Sequence, residues 1–285
     1  MKKVLWLTAL ALIAMVNMPS TARAENRVTP THSGGQVEFQ IDGSGPVILM
    51  IPSLGRGASD FDDLSRRLVR AGFTVVRPEP RGIGKSTGTM INLSLHDLAA
   101  DNAAVIESLG GKPAIVIGHA FGQRVGRTLT TERPELVQAM IMVAAGGKVP
   151  AKPGAGEALL GSFRLDQPAE VRMQSVRSAF FAPANDPNVW RDGWYPYVAK
   201  AQLTAVRATP VEGWWSAGST APLLVIQGLQ DVLAPPENGH MMKEEMADRV
   251  ELMDIDGAGH AMLPEQPEKI AEAIIGFSRK LTATK

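Results

Sequence analysis

The chain has 285 residues, 45% of them hydrophobic, with 29 Lys+Arg against 29 Asp+Glu and 0 Cys. That length suits one large domain carrying an insertion. The balanced charge gives no electrostatic case for nucleic acid, and the lack of cysteine excludes disulfides, thiolate metal sites and cysteine nucleophiles.

Lys2 and Lys3, the apolar residues 4–16 and the small-residue stretch Ala22-Arg23-Ala24 match the three regions of a secretory signal peptide. They predict a signal segment over residues 1–24, cleavage after Ala24 and a periplasmic or secreted protein. The apolar run is shorter than the roughly 20 residues of a spanning helix, and no later segment is long enough, so no membrane contact is expected after cleavage. Loss of Lys2, Lys3 and Arg23 would leave a net charge of about −3.

Residues 36–41 alternate as a strand and turn at Asp42-Gly43-Ser44-Gly45. Residues 47–51 are continuously apolar, the pattern of a strand covered on both faces. Pro52-Ser53-Leu54-Gly55-Arg56-Gly57 reads as a loop, and Ser59 is expected to cap a helix over 60–70, where Phe61, Leu64 and Leu68 keep helical spacing. Residues 73–76 are another strand. The glycine-rich run Glu79-Pro80-Arg81-Gly82-Ile83-Gly84-Lys85-Ser86 fails as a nucleotide loop, because a Walker A motif needs glycine where Glu79 stands and a helix directly after Ser86. Residues 94–109 read as a helix with Leu95, Leu98, Ala99 and Ile106 on one side.

Residues 114–117 form a buried strand that stops at Gly118-His119-Ala120-Phe121-Gly122, ahead of a helix over 123–131. This is the shape of a nucleophile elbow, in which Gly-x-Ser-x-Gly lifts a serine onto a sharp strand-to-helix turn. Here the serine position holds Ala120. A strand over 137–143 follows, and the alternation of strands with helices predicts an α/β fold with a mostly parallel sheet and helices on both faces.

The pattern breaks between about residues 146 and 220, dividing the chain into a core of residues 25–146 and 221–285 and an inserted helical cap of residues 147–220. Trp190, Trp194, Trp214 and Trp215 fall in the cap with Tyr195 and Tyr197. They are expected either to roof an apolar pocket, as candidate substrate-binding residues, or to glue the insertion to the sheet. A strand over 223–227 leads to Gly228-Leu229-Gln230-Asp231, a helix covers 237–246, a strand 250–255 leads to Gly257-Ala258-Gly259-His260, and a last helix covers 267–279.

With the elbow, the Asp231 loop and the His260 turn in that order, the mature chain resembles the α/β-hydrolase family over nearly its whole length. The run from Glu79 to Ser86 is similar to that family's Asp-x-Arg-Gly-x-Gly-x-Ser loop. The resemblance implies an α/β-hydrolase fold with His260 as general base, Asp231 as the acid that orients its imidazole, and the backbone amides of Leu54 and Phe121 as oxyanion donors, without a cofactor. Two positions depart from the family pattern: Pro52-Ser53 replaces the usual His-Gly, and Gln123 stands where a small residue is common. His119 is expected to pack under the turn, while His32, His96 and His240 are left as surface residues. No His/Asp/Glu group has metal-ligand spacing.

Ala120 cannot attack a carbonyl, which closes an acyl-enzyme route through this position. The leading expectation is catalysis by His260 and Asp231, acting as a general base on water or on a substrate proton, upon a small apolar ester- or carbonyl-type molecule. The alternatives are a small-molecule binding protein that kept the pocket and lost catalysis, an alanine placed in an active serine hydrolase to trap its substrate, and Ser53 as a replacement nucleophile.

Overall fold

The computed structural model describes residues 24–283, so the predicted signal segment lies outside the described residues apart from Ala24. Eight strands among them form one sheet: β1 (Glu25–Pro30), β2 (Gln36–Gly43), β3 (Val47–Ile51), β4 (Thr74–Pro78), β5 (Ala114–His119), β6 (Val137–Val143), β7 (Leu223–Gly228) and β8 (Val250–Ile255). Their order across the sheet is β1-β2-β4-β3-β5-β6-β7-β8. The second strand runs antiparallel to both its neighbours, and every pairing from β4 to β8 is parallel.

The continuous apolar runs arise because successive side chains of a strand face opposite sides, and both sides are covered. Ile48, Val75, Ile115, Ile141 and Leu224 pack against α1 (Asp62–Arg70) and α8 (Pro267–Ala283). Leu49, Val76, Val116, Met140 and Val225 pack on the other side against α2 (Leu95–Ser108) and α3 (Phe121–Glu132). Ser94 and Asp97 close a reciprocal capping box at the start of α2, which fixes where that helix begins.

Two local expectations change. The first strand, whose polar composition gives no strand pattern, has five exposed side chains out of six and is held by its backbone ladder to β2. Ser59 does not cap α1. The chain instead enters through a 3₁₀ turn over Ala58–Phe61, and the Ala58 N–H donates to the Glu79 carboxylate at 2.9 Å.

Between β6 and β7 lie α4 (Ala155–Ser162), α5 (Ala169–Phe180) and α6 (Pro196–Ala208), and α7 (Glu237–Glu245) connects β7 to β8. These inserted helices touch the loops that follow β3 and β8, through Tyr195 N–H to Gly55 O at 2.9 Å and Ala261 N–H to Phe180 O at 2.8 Å. They therefore sit over the carboxyl ends of the parallel strands.

The loop after β4 is locked by a forked ion pair: Arg81 Nε and Nη2 donate to Asp101 of α2 at 2.5 and 2.9 Å, with Arg81 2% and Asp101 5% exposed. Removing one partner of such a pair leaves an uncompensated buried charge, at a cost of about 3–5 kcal/mol. Arg81→Met should lower the unfolding free energy by that amount in urea titration. A loss below ~1 kcal/mol would mean that the pair does not hold the loop.

Candidate active site

Strand β5 passes into α3 through the single residue Ala120, whose backbone is forced to φ 49 and ψ −110. That conformation costs an L-residue on the order of 1–3 kcal/mol. Packing imposes it. The Ala120 N–H donates to Val143 O at 2.8 Å, and α3 crosses the sheet so closely that a Cβ on Gly122 would lie 2.1 Å from Ile51 O. A Cβ on Gly118 would lie 2.3 Å from Gln123 Cα, so both glycines of the motif are steric requirements.

The turn leaves the Phe121 N–H at the first position of α3, where a helix has no internal acceptor for it and carries positive dipole charge. The Leu54 N–H lies in the loop after β3, and neither amide has a backbone acceptor among the described residues. That loop, residues 52–57, is wholly buried, and the Gly55 N–H is held by Gln202 Oε1 of α6 at 2.7 Å.

Asp231 and His260 come from the loops after β7 and β8 and meet with His260 Nδ1 2.8 Å from Asp231 Oδ2. Asp231 Oδ1 accepts the Leu233 and Ala234 amides at 2.9 and 2.8 Å, which spends that oxygen and leaves Oδ2 for the imidazole. A carboxylate on Nδ1 makes that nitrogen the protonated one and leaves the lone pair on Nε2. The His260 side chain is 10% exposed, and the ring packs on Phe180 with centroids 5.7 Å apart.

Two residues without a local sequence signal fix the His260 turn. His119 Nε2 donates to the His260 carbonyl at 2.8 Å, and burial, reinforced by the neighbouring His260, pushes its pKa down to about 3, so this ring stays neutral. Glu265 accepts the Gly259 and Met262 amides at 2.8 and 2.9 Å through one oxygen, and the Ala182 amide and Asn185 Nδ2 at 2.8 and 2.6 Å through the other. It staples the turn to the inserted helices. The His119 contact and the link from Glu265 to Ala182 and Asn185 span distant stretches of chain, which is why no spacing pattern announces them.

A cavity of about 270 Å³ lies over the turn, lined by Ser53, Leu54, Ala120, Phe121 and His260 below and by Leu159, Leu203, Val206 and Phe180 above. None of the four tryptophans lines it. Trp190 and Trp194 pack behind the site, with the Arg56 guanidinium 4.5 and 4.7 Å from their ring centres. Trp214 and Trp215 flank Arg127 at 4.5 and 5.0 Å. The roof of Leu159, Leu203, Val206 and Phe180 holds no indole because the indoles are committed to buried arginines, whose charge their faces stabilise. A larger groove of about 440 Å³ beside Asp60, Asp62 and Asp63 contains none of Ala120, Asp231 or His260. His32, His96 and His240 are at the surface, each against a carboxylate: Glu107, Glu132 and Asp254. Among the described residues no group of three or more His, Cys, Asp or Glu side chains is placed to hold a metal ion.

The sequence profile described as the alpha/beta hydrolase family matches residues 48–273. The chain belongs to the alpha/beta hydrolase family. An uncharacterized protein of Mycobacterium tuberculosis is 26% identical over 274 residues, covering 87% of this chain and 79% of the relative. Solved alpha/beta structures share the fold at lower identity. A thermophilic esterase from Thermogutta terrifontis superposes with a TM-score of 0.75 at 21% identity, covering 91% of this chain and 99% of that one. The esterase EaEST from Exiguobacterium antarcticum gives 0.76 at 18%, covering 90% and 100%.

In this alpha/beta hydrolase the Asp231–His260 pair, two amides without a backbone acceptor among the described residues and the cavity converge, while the side chain at the elbow is a methyl group. Burial of His119 also sets a pH dependence. The unfolded ring takes up a proton near pH 6.5 and the folded one only near 3, so the unfolded state binds more protons throughout that window and stability falls as pH falls through it. His119→Gln, which keeps an amide donor for the His260 carbonyl, should therefore lose about 2 kcal/mol less stability than the parent between pH 7.5 and 5. Parallel slopes in urea titrations of the two proteins would show that the ring does not stay neutral in the fold.

Proposed function

We propose that this chain is an exported hydrolase-type enzyme in which His260, oriented by Asp231, activates water against the carbonyl of a small, largely apolar ester. The observation that carries the reading is the 2.8 Å Asp231–His260 contact at a cavity that His260 lines together with Leu54, Ala120 and Phe121. In this mechanism His260 Nε2 removes a proton from water as its oxygen bonds to the ester carbon. The carbonyl oxygen becomes an oxyanion that the Leu54 and Phe121 amides receive. Asp231 stabilises the imidazolium, which then gives its proton to the departing alkoxide, yielding acid and alcohol. The methyl at position 120 leaves room for the water that a hydroxyl would otherwise exclude. Oxyanion holes and binding alone sustain roughly 10³- to 10⁴-fold acceleration over water when a serine triad is disabled, so slow turnover fits the reading.

The methyl also supports a second reading, capture of the same class of molecule without turnover. One set of assays separates the two. The unmodified chain should hydrolyse p-nitrophenyl butyrate slowly and without a burst, and His260→Ala should abolish that activity; turnover surviving the change refutes the general base. Ala120→Ser should raise kcat at least a hundredfold and make the protein label with a fluorophosphonate. An active Ala120→Ser protein beside a wholly inert parent selects capture, and labelling of the parent selects Ser53 as a nucleophile.

A further inference from the structure

Helix α3 brings two guanidinium groups to the same indole. Arg127 and Arg124 lie 4.5 and 5.2 Å from the Trp214 ring centre, one turn apart. Their surroundings differ. Arg127 is fully buried and donates to the carbonyls of Gly146 and Trp215, so its place in the packing is explained. Arg124 lines the cavity above Ala120, yet among the described residues no carboxylate pairs with it and no carbonyl accepts from its side chain. Burial alone pushes its pKa down, to about 10, with no acidic neighbour acting against it. The lining of the cavity contains no Asp or Glu at all. Lys148, on the Trp215 face, already pairs with Glu245 at 2.7 Å.

Arg124 is half-buried, so its guanidinium keeps some solvent, but at the wall of an apolar cavity without a counter-ion it is better stabilised once an anion arrives with the ligand. We propose that the substrate of this cavity carries a carboxylate, and that Arg124 is its counter-ion and the residue that sets specificity. The proposal rests on the reading that the cavity over Ala120 is where substrate binds. Arg124 presents its free N–H edge while the Trp214 face supports the guanidinium from one side, an arrangement suited to a forked grip on a carboxylate. Beside it, Gln123 is fully buried and donates through Nε2 to Gly146 O at 3.1 Å, which leaves its Oε1 without a partner. That oxygen is an acceptor, so it calls for a hydroxyl or a water next to the anion rather than for a second carboxylate. Substrates of this class are hemiesters and hydroxy-acid esters, with the carboxylate at one end of the cavity and the scissile carbonyl near His260.

Two measurements test the assignment. In calorimetric titration of the unmodified chain at low salt, hexanoate should bind at least tenfold more tightly than hexan-1-ol. Arg124→Gln should erase that preference and Arg124→Lys should restore part of it, with urea titration verifying that each variant is folded. In the Ala120→Ser protein, mono-p-nitrophenyl glutarate should exceed p-nitrophenyl valerate in kcat/KM by about ten- to a hundredfold, the range expected for one charge-assisted contact. That ratio should collapse when Arg124→Gln is added. Equal binding of hexanoate and hexan-1-ol, or a preference that survives Arg124→Gln, overturns the carboxylate assignment even if neutral esters are hydrolysed. A hexanoate preference that depends on Arg124 in a protein whose Ala120→Ser variant stays inert upholds the assignment and removes the catalytic reading.

Discussion

The closeness of α3 to the sheet governs the geometry of the whole site. With only a hydrogen at Gly122 the helix start reaches 2.1 Å, in Cβ terms, from the Ile51 carbonyl, and no longer residue fits there. The turn before it must then reverse within one residue, which forces Ala120 to positive φ. The strain, on the order of 1–3 kcal/mol, is offset by apolar residues that the same approach buries. Val125 and Leu129 of α3 are 1% and 0% exposed, and burying each stabilises the fold by about 1.5–3 kcal/mol. One packing decision thus sets the Ala120 backbone, aims the Phe121 amide and places Gln123 and Arg124 along the cavity wall.

The remaining parts of the site are positioned from the inserted helices. Gln202 and Tyr195 grip Gly55 from both sides of its peptide, holding the loop that carries the Leu54 amide. Glu265 ties the His260 turn to Ala182 and Asn185, and the Phe180 carbonyl accepts the Ala261 amide. Deleting the insertion would therefore disorder the loop that carries the Leu54 amide and the His260 turn together, as well as open the roof. Such a segment is part of the site's scaffold, and its apolar side chains, among them Leu159, Phe180, Leu203 and Val206, face the cavity.

The features legible in the sequence are those with short-range causes. The parallel strands announce themselves because burial on both faces removes every polar residue from a run such as Val47–Ile51, whose structural limits equal those read from the sequence. The elbow is legible because its steric requirement recurs within five residues. The first strand is not, since five of its six side chains are exposed and backbone pairing alone defines it. The tryptophans mislead for a different reason: an indole suits a cavity roof and an arginine shelf equally, and the choice depends on Arg56 and Arg127, which lie far away in the chain. Ser59 fails as a cap because the chain already turns at Ala58, so Ser59 lies inside the 3₁₀ turn and its carbonyl, not its hydroxyl, accepts the Asp62 amide.

The alanine at the elbow gains a physical sense from the charges around it. Were the strained turn useful only for presenting a hydroxyl, a methyl there would leave its strain without purpose. The turn also sets the direction of the Phe121 amide and of the first turn of α3, and both depend on backbone, not on the residue 120 side chain. A helix start carries about half a positive charge, the Leu54 amide adds another donor, Arg124 adds a full cation, and no carboxylate in the lining opposes them. The cavity is therefore electropositive apart from its imidazole, whose free nitrogen accepts protons. A surface so arranged lowers the energy of negative charge arriving with a ligand or forming on one, and that property does not pass through the side chain the elbow lacks.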